Sequence, residues 1–285
     1  MTLTLRPGAI EDAKECGRVY YEAFKFLAEQ HGFPSEVQSV EIATILMTLR
    51  LNHSGFYSVV AEQNGKIVGS IFLDERSIIG GVGPISVEPR VMNGSIGQEL
   101  MKALMIRATQ RHFPGLRGMV VAWHYHAFAL YIKHGGTCRE TFSVMQGKPL
   151  ACKISGHDIR HAGREDLSAC NQLCYSVHGH DRSGELVDAI HQGKANVVER
   201  LGRITGYSTG IGWSNHAVAE SNDDMKALIS AAPELSGLGF FVPSSNGELF
   251  RWCLSQGLRV VCQTNLMTHG LYNQPAGVYL PSISY

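Results

Sequence analysis

VEPRVMNGSIGQEL, residues 87–100, begins as the end of a strand, passes Pro89 and two glycines, and runs into residues that favour helix. A tight turn feeding a helix start is an anion site on physical grounds. The first backbone N–H groups of a helix lack internal partners and carry partial positive charge. Gly94 and Gly97 would let the backbone come close to a phosphate. The same spacing also suits a plain helix start, so the surrounding sequence has to decide between the two.

Upstream, GGVGPISVEP (80–89) reads as a strand stopped by Pro89, and FYSVVAEQNGKIVGSIFL (56–73) alternates around Asn64-Gly65, a strong hairpin signal. LTLRPG (3–8) reads as an edge strand. EDAKECGRVYYEAF (11–24) places Cys16, Val19, Tyr20, Ala23 and Phe24 at helical spacing. Downstream, IGQELMKALMIRATQRHF (96–113) is a helix with Ile96, Leu100, Ala103, Leu104 and Ile106-Ala108 on its apolar side. GLRGMVVAW (115–123) is a buried strand, and HAFALYIKHGG (126–136) is a helix ending at glycine. The alternation of strands and helices predicts an α/β fold.

The pattern then recurs. LRPGAIEDAKEC (5–16) matches IRHAGREDLSAC (159–170) in Arg6, Glu11-Asp12 and Cys16 against Arg160, Glu165-Asp166 and Cys170. VVAEQNGKIVGS (59–70) matches ANVVERLGRITGY (195–207), with Glu62, Gly65, Ile67 and Gly69 against Glu199, Gly202, Ile204 and Gly206. MKAL occurs at 101–104 and 225–228, and YIKHGG (131–136) lines up with CLSQGL (253–258). Four matches in order, at a shrinking offset, indicate two copies of one domain with the second shortened. We expect the copies at 1–148 and 155–285, joined through MQGKPLACKISGHD (145–158).

The totals exclude several classes. The 25 basic and 25 acidic residues balance, whereas a nucleic-acid binder carries a basic surplus. No apolar run reaches the roughly 18 residues a membrane helix needs, and the N-terminus lacks the pattern of a signal peptide. Seven cysteines, with no CxxC pair, read as reduced and mostly buried thiols of a cytoplasmic protein. Neither nucleic acid nor membrane is expected as a partner, and a homodimer is compatible with the chain. His124-x-His126 and His178-x-His180-Asp181 lack further ligands at metal spacing, so no metal is expected.

Val87 and Pro89, Ile96-Gly97 opening a helix through Leu100, and Ala127, Leu130-Tyr131 and Gly135 together resemble the GCN5-related N-acetyltransferase (GNAT) superfamily. The two copies, with a degenerate second one, resemble a tandem subgroup known mainly from bacteria. The resemblance implies two tandem GNAT folds, each a mixed twisted sheet flanked by helices. It implies acetyl transfer from acetyl-CoA, the co-substrate, to the primary amine of a small molecule. The turn would hold the CoA pyrophosphate through Met92, Asn93, Gly94, Ser95, Ile96, Gly97 and Gln98. Ile85, Ser86 and Val87 would offer backbone groups to the pantetheine arm, in a gap opened by the parting of that strand from 118–123. Tyr131 would protonate the departing thiolate as general acid. Glu75, and next His124, are the candidates for the base, because an amine of pKa near 10 must lose a proton before it can attack.

Two departures from the family turn weaken the expected grip. Met92 stands where Gln or Arg is common, and Ser95 where glycine is. Each loss is worth about 1–2 kcal/mol, the scale of a charged hydrogen bond. The second copy departs further. AESNDD (219–224) precedes its MKAL helix with no glycine and two aspartates, and carboxylates at a helix N-terminus compete with a phosphate. Cys253 falls at the position of Tyr131 and Asn246 at that of His124. Two functions follow: a small-molecule N-acetyltransferase with its chemistry in the first copy, or a non-catalytic CoA-binding sensor or scaffold that keeps the fold.

Overall fold

A computed structural model describes residues 3–92, 94–150 and 152–285. The chain folds as two compact units. The first holds the described residues up to Glu75, with Ile79–Thr137 and Met267–Gly270; the second holds Arg76–Ile78, Cys138–Leu266 and Leu271–Tyr285. Each unit thus takes segments from both halves of the sequence.

In the first unit the order is β1 (Leu3–Pro7), α1 (Ala13–Gln30), α2 (Val40–Asn52), β2 (Phe56–Gln63), β3 (Lys66–Asp74), β4 (Ile79–Val87), α3 (Ile96–Gln110), β5 (Gly115–Val121) and α4 (Tyr125–Lys133). The strands lie side by side as β1-β2-β3-β4-β5. All neighbours are antiparallel except β4 and β5, which are parallel. Side chains alternate between the two faces of a strand, and the core follows that rule. Val59, Ala61, Ile71 and Leu73 pack under Ile96, Leu100, Met101 and Leu104 of α3. Val60 and Phe72 point the other way, to Cys16 and Tyr20 of α1 and Ala43 and Met47 of α2. Helix α2 has no clear apolar stripe in the sequence. Ala43 and Met47 are buried while Ile45 and Leu49 are exposed.

The second unit carries β6 (Thr137–Gln146) from Cys138 onward, then β7 (Asp158–His161), α5 (Leu167–His178), α6 (Ser183–His191), β8 (Asn196–Arg200), β9 (Arg203–Ser208) and β10 (Ala217–Ala219). α7 (Asn222–Ser230), β11 (Phe240–Pro243), α8 (Gly247–Ser255), β12 (Arg259–Gly270) and β13 (Val278–Leu280) complete it, except that the last four residues of β12 belong to the first unit. Five strands run in the order β13-β10-β9-β8-β7, and β11 pairs antiparallel with β6, Phe240 opposite Met145. The start of the expected connection is therefore strand, because Met145 is fully buried in that pairing. The C-terminal PAGVYLPSISY contributes β13, paired with β10.

The repeat is visible atom by atom. Arg6 donates to Asp12 (2.7 and 2.8 Å) and Glu62 (2.6 Å), and Arg160 donates to Asp166 (2.6 and 2.8 Å) and Glu199 (2.7 Å). In each copy the aspartate also accepts from a backbone N–H three residues earlier, Ala9 or Gly163, at 2.8 Å. Asn64-Gly65 and Leu201-Gly202 make the same hairpin with paired positive φ angles, 54° and 72° against 54° and 74°. Each hairpin slips register at the same place, after Ala61 and after Val198.

Candidate functional site

The site begins where the sheet of the first unit comes apart. β4 and β5 pair over Ile79–Gly81 and Gly115–Arg117, and both strands continue beyond that ladder. On its other edge β4 stays with β3, Val87 opposite Gly69, Ser86 opposite Ser70 and Ile85 opposite Ile71. The Glu88 N–H donates to the Val68 carbonyl at 2.8 Å. Antiparallel pairs alternate between bonded and non-bonded. Ser86 therefore bonds toward β3, while Ile85 and Val87 turn their N–H and C=O groups toward the gap. The Ser86 hydroxyl is buried against that of Ser70, 3.1 Å away. The β3–β4 register slips between Ile71 and Leu73, opposite the stretch holding Gly83 (φ 125°) and Pro84. A bulge of this kind re-aims a strand.

Past Val87 the chain makes a 3-10 turn at Pro89–Val91, the Gly94 N–H donates to the Val91 carbonyl at 3.1 Å, and α3 begins after Ser95. Asn93 lies outside the described residues. Met92 is half-buried against the core, while Gly94, Ser95 and Gln98 are exposed. The Ser95 hydroxyl makes no capping bond, and the N–H groups of Ile96, Gly97 and Gln98 belong to the turn that a helix leaves without internal partners. A Cβ at Gly97 would meet Leu130 Cδ2 at 3.8 Å and Val87 Cγ2 at 3.9 Å, ordinary contacts. Internal packing thus does not demand glycine here. Arg90, exposed on the 3-10 turn, supplies a cation two residues before Met92. With Arg6, Arg18, Lys66 and several carboxylates it lines an open surface cavity of about 680 Å³.

Helix α4 brings Tyr131 to the point where the strands part. Its hydroxyl donates to the Val82 carbonyl of β4 at 3.3 Å and would lie 2.6 Å from a Cβ at Gly118 of β5. Burial pushes its pKa up. Below it is a cavity of about 20 Å³, room for one water. His124 is the N-cap of α4, its Nδ1 accepting from the Ala127 N–H at 3.4 Å. Burial, then His126 and His31, lower its pKa to about 4, so the ring is neutral at pH 7.

Glu75 has both oxygens taken by Arg107 of α3 (2.7 and 2.9 Å), with Arg111 at 3.5 Å. A carboxylate so engaged ties α3 to the end of β3. A different carboxylate emerges from the structure. Glu36, half-buried on the loop between α1 and α2, accepts from the Tyr20 hydroxyl at 2.8 Å. Burial raises its pKa to about 7, against the opposing pull of Tyr20 and Arg50. Nothing in FPSEVQS (33–39) marks this residue in the sequence. The same loop stacks His31 (5.0 Å) and Phe33 (5.4 Å) on Trp123, two residues past the end of β5.

In the second unit the equivalent helix start is filled by the chain itself. Ser221 caps α7, and Asp224, fully buried, accepts from Thr205 (2.5 Å) and from the Ser221 hydroxyl and lies 3.5 Å from Arg200. The protein's own carboxylate occupies the place an external anion would need. Asn246 caps α8 as His124 caps α4, accepting from the Leu249 N–H at 3.1 Å. Cys253 is fully buried, and that burial raises its thiol to about 12, far from a thiolate nucleophile. Among the described residues no group of three or more His, Cys, Asp or Glu side chains could hold a metal ion, and no helix is long and apolar enough to cross a membrane.

Residues 20–135 match the Acetyltransferase (GNAT) family. No curated protein matches the sequence significantly. Among solved structures, a candidate acetyltransferase from Pyrococcus horikoshii aligns with a TM-score of 0.76 at 15% identity, over 97% of this chain and 92% of its own. A GCN5-related N-acetyltransferase from Sphaerobacter thermophilus aligns at 0.61 and 15%, over 95% and 96%. A tandem GNAT protein from the clavulanic acid biosynthesis pathway aligns at 0.60 and 13%, over 94% and 98%. At such identities these likenesses speak for the fold.

Proposed function

The chain belongs to the GNAT superfamily and carries its fold in tandem, and from that premise we propose that it transfers acetyl from acetyl-CoA to the primary amine of a small molecule in its first copy. The observation that carries this reading is two sets of backbone groups left unused on one stretch of chain: Ile85 and Val87 in the gap, and the open start of α3 at Ile96–Gln98. The pantetheine amides would pair with Ile85 and Val87, and the diphosphate would sit at the α3 amides with Arg90 nearby.

The step balances as follows. The acceptor ammonium gives one proton to a base, and the freed lone pair attacks the thioester carbon. A C–N bond forms, the C–S bond breaks, and its electrons leave on sulfur. The Tyr131 hydroxyl, at the parting of the strands, gives its proton to that sulfur and recovers one from the acylated nitrogen. Tyrosine suits the donor role because burial keeps it protonated at neutral pH.

Met92 and Ser95 favour a second reading, CoA binding without turnover. Calorimetry with acetyl-CoA and a thiol-release assay over a panel of amines separate the two. Amine-dependent thiol release that falls at least 100-fold in Tyr131→Phe, with acetyl-CoA affinity kept, supports the enzyme. Binding without release across the panel supports the sensor, and absence of binding overturns both.

A further inference from the structure

We propose that the second copy keeps the gap between its strands and fills it with this chain's own C-terminus. β13 lies where the first copy would hold a pantetheine arm, so coenzyme A is excluded from the second copy. The place of the arm in the first copy rests on the acetyltransferase reading above; the occupant of the second gap does not.

The two copies agree residue by residue at this point. β10 precedes α7 as β4 precedes α3, and β11 precedes α8 as β5 precedes α4. Against β9, Ala219 stands opposite Gly206, Val218 opposite Tyr207 and Ala217 opposite Ser208. Those pairs repeat Val87 with Gly69, Ser86 with Ser70 and Ile85 with Ile71. The Glu220 N–H donates to the Thr205 carbonyl at 2.8 Å, as that of Glu88 does to Val68. Alternation of bonded and non-bonded pairs then turns the backbone groups of Ala217 and Ala219 away from β9. In the first copy the matching groups, on Ile85 and Val87, face the gap. In the second they are taken: Ala217 pairs with Leu280 and Ala219 with Val278, antiparallel. β13 also packs against β11, so it lies between the counterparts of β4 and β5.

The side chains of β10 suit a peptide in that place. Where β4 has Ile85 and Val87, β10 has Ala217 and Ala219, both fully buried. Directly opposite residues share a face. Leu280 and Val278 fill the space the alanines leave, in the core that holds Phe240 and Leu249. The β-alanine and cysteamine units of a pantetheine arm carry no side chains that could do so. Four bonds fix the tail. The Tyr279 hydroxyl donates to Glu140 Oε2 at 2.6 Å, and Arg182 donates to the Ser282 hydroxyl at 3.1 Å. The Tyr285 hydroxyl hydrogen-bonds His178 Nδ1 at 3.1 Å, and the Ile283 N–H donates to the Trp213 carbonyl at 2.8 Å. An occupant tethered by a short loop acts at an effective concentration of about millimolar. With the start of α7 closed by Asp224, coenzyme A finds neither half of a site there.

The test uses the full chain with a protease site inserted after Gln274, an exposed position before β13, and a fluorescent peptide of residues 275–285. After cutting, the tail stays with the protein through gel filtration, and on long incubation excess peptide replaces it mole for mole. The uncut chain takes up none. A peptide with Leu280→Pro lacks the N–H that faces Ala217 and binds about 100-fold more weakly. One with Tyr279→Phe loses the bond to Glu140 and binds about tenfold more weakly. Saturating acetyl-CoA leaves the peptide bound, and calorimetry of the uncut chain gives no more than one acetyl-CoA per chain. In the unmodified chain, hydrogen exchange at 217–219 and 278–280 is slow and is unchanged by acetyl-CoA; this measurement serves if the insertion disturbs the fold. A cut chain that loses its tail on gel filtration and takes up no peptide overturns the proposal. So do two acetyl-CoA per chain, displacement of the peptide by acetyl-CoA, or amides at 278–280 that exchange as fast as those at 271–274. A chain that exchanges its tail as described yet binds no acetyl-CoA overturns the first-copy reading instead and leaves the self-filled gap standing.

Discussion

Gly118 has no Cβ, and the ring of Tyr131 lies where one would be. Its Oη, Cε1 and Cζ would stand 2.6, 2.9 and 3.0 Å from that atom. The glycine is therefore a steric requirement of the tyrosine's placement and not a turn residue. Gly118→Ala would force the ring off β5 and away from the Val82 carbonyl, at a cost of about 1–3 kcal/mol for overpacking. Most of that cost vanishes once the ring is gone. A denaturant double-mutant cycle of Gly118→Ala with Tyr131→Ala should show a coupling of about 1–2 kcal/mol. Additive effects would mean that the two residues do not share this space. Two carboxylates differ in how far the sequence reveals them. Glu75 can be picked from the sequence because it follows a strand near the gap, but its oxygens go to Arg107 and Arg111. Glu36 can be picked only once a loop and two helices have come together around it.

At the scale of elements, the two copies put one device, a helix N-terminus, to opposite uses. The start of α7 is closed by Ser221, whose hydroxyl accepts from the Asp224 N–H at 3.2 Å, and by the Asp224 carboxylate. The start of α3 is open, with Ser95 making no capping bond. Ser221→Ala should thus cost about 1 kcal/mol, the worth of an N-cap, while Ser95→Ala should fall within about 0.5 kcal/mol of wild type. Urea unfolding of the two variants checks this, and equal losses would show that the α3 start is capped after all. Much of this scale is legible in the sequence. The alternation of β2 and β3 around Asn64-Gly65, the stop at Pro89 and the apolar face of α3 each follow from local rules. The aspartates in the first turn of α7 betray its closed end in the sequence itself. Helix α2 is less legible, because Ile42, Ile45 and Leu49 stay exposed and blur the periodicity. The β4 bulge also escapes, since register depends on a partner strand. So does the assignment of Met267–Gly270 to the first unit, a placement more than a hundred residues distant from its neighbours in sequence.

At the scale of the whole molecule, the two units should answer acid differently. His216, buried in the second unit, hydrogen-bonds the Tyr207 hydroxyl at 3.1 Å and faces Glu185 at 3.3 Å. Burial, then Arg182, lower its pKa from 6.5 to about 4. Glu185, which burial alone would raise, is held well below the carboxylate range by Arg182 and His216. The folded histidine binds fewer protons than the unfolded one between pH 6.5 and 4. Stability is therefore full above 6.5 and falls by up to about 3 kcal/mol as the pH drops to 4. The first unit holds opposing groups. His124 loses stability over the same range for the same reason. Glu36 runs the other way: with its pKa raised from 4.5 to about 7, the folded carboxyl binds more protons than the unfolded one between those values. Its contribution is present below 4.5 and is lost as the pH rises through 7, so acidification from 7 to 5 restores what His124 takes away. Acid should loosen the second unit first. Hydrogen exchange at pH 7 and 5, corrected for intrinsic rates, should show protection falling in α5, β8 and β9 while β2, β3 and β4 hold. Glu36→Gln should remove the compensation and bring the first unit's loss into step with the second. Protection that falls first in β2–β4 of the wild type would mean that His124, not Glu36, governs the first unit's acid response.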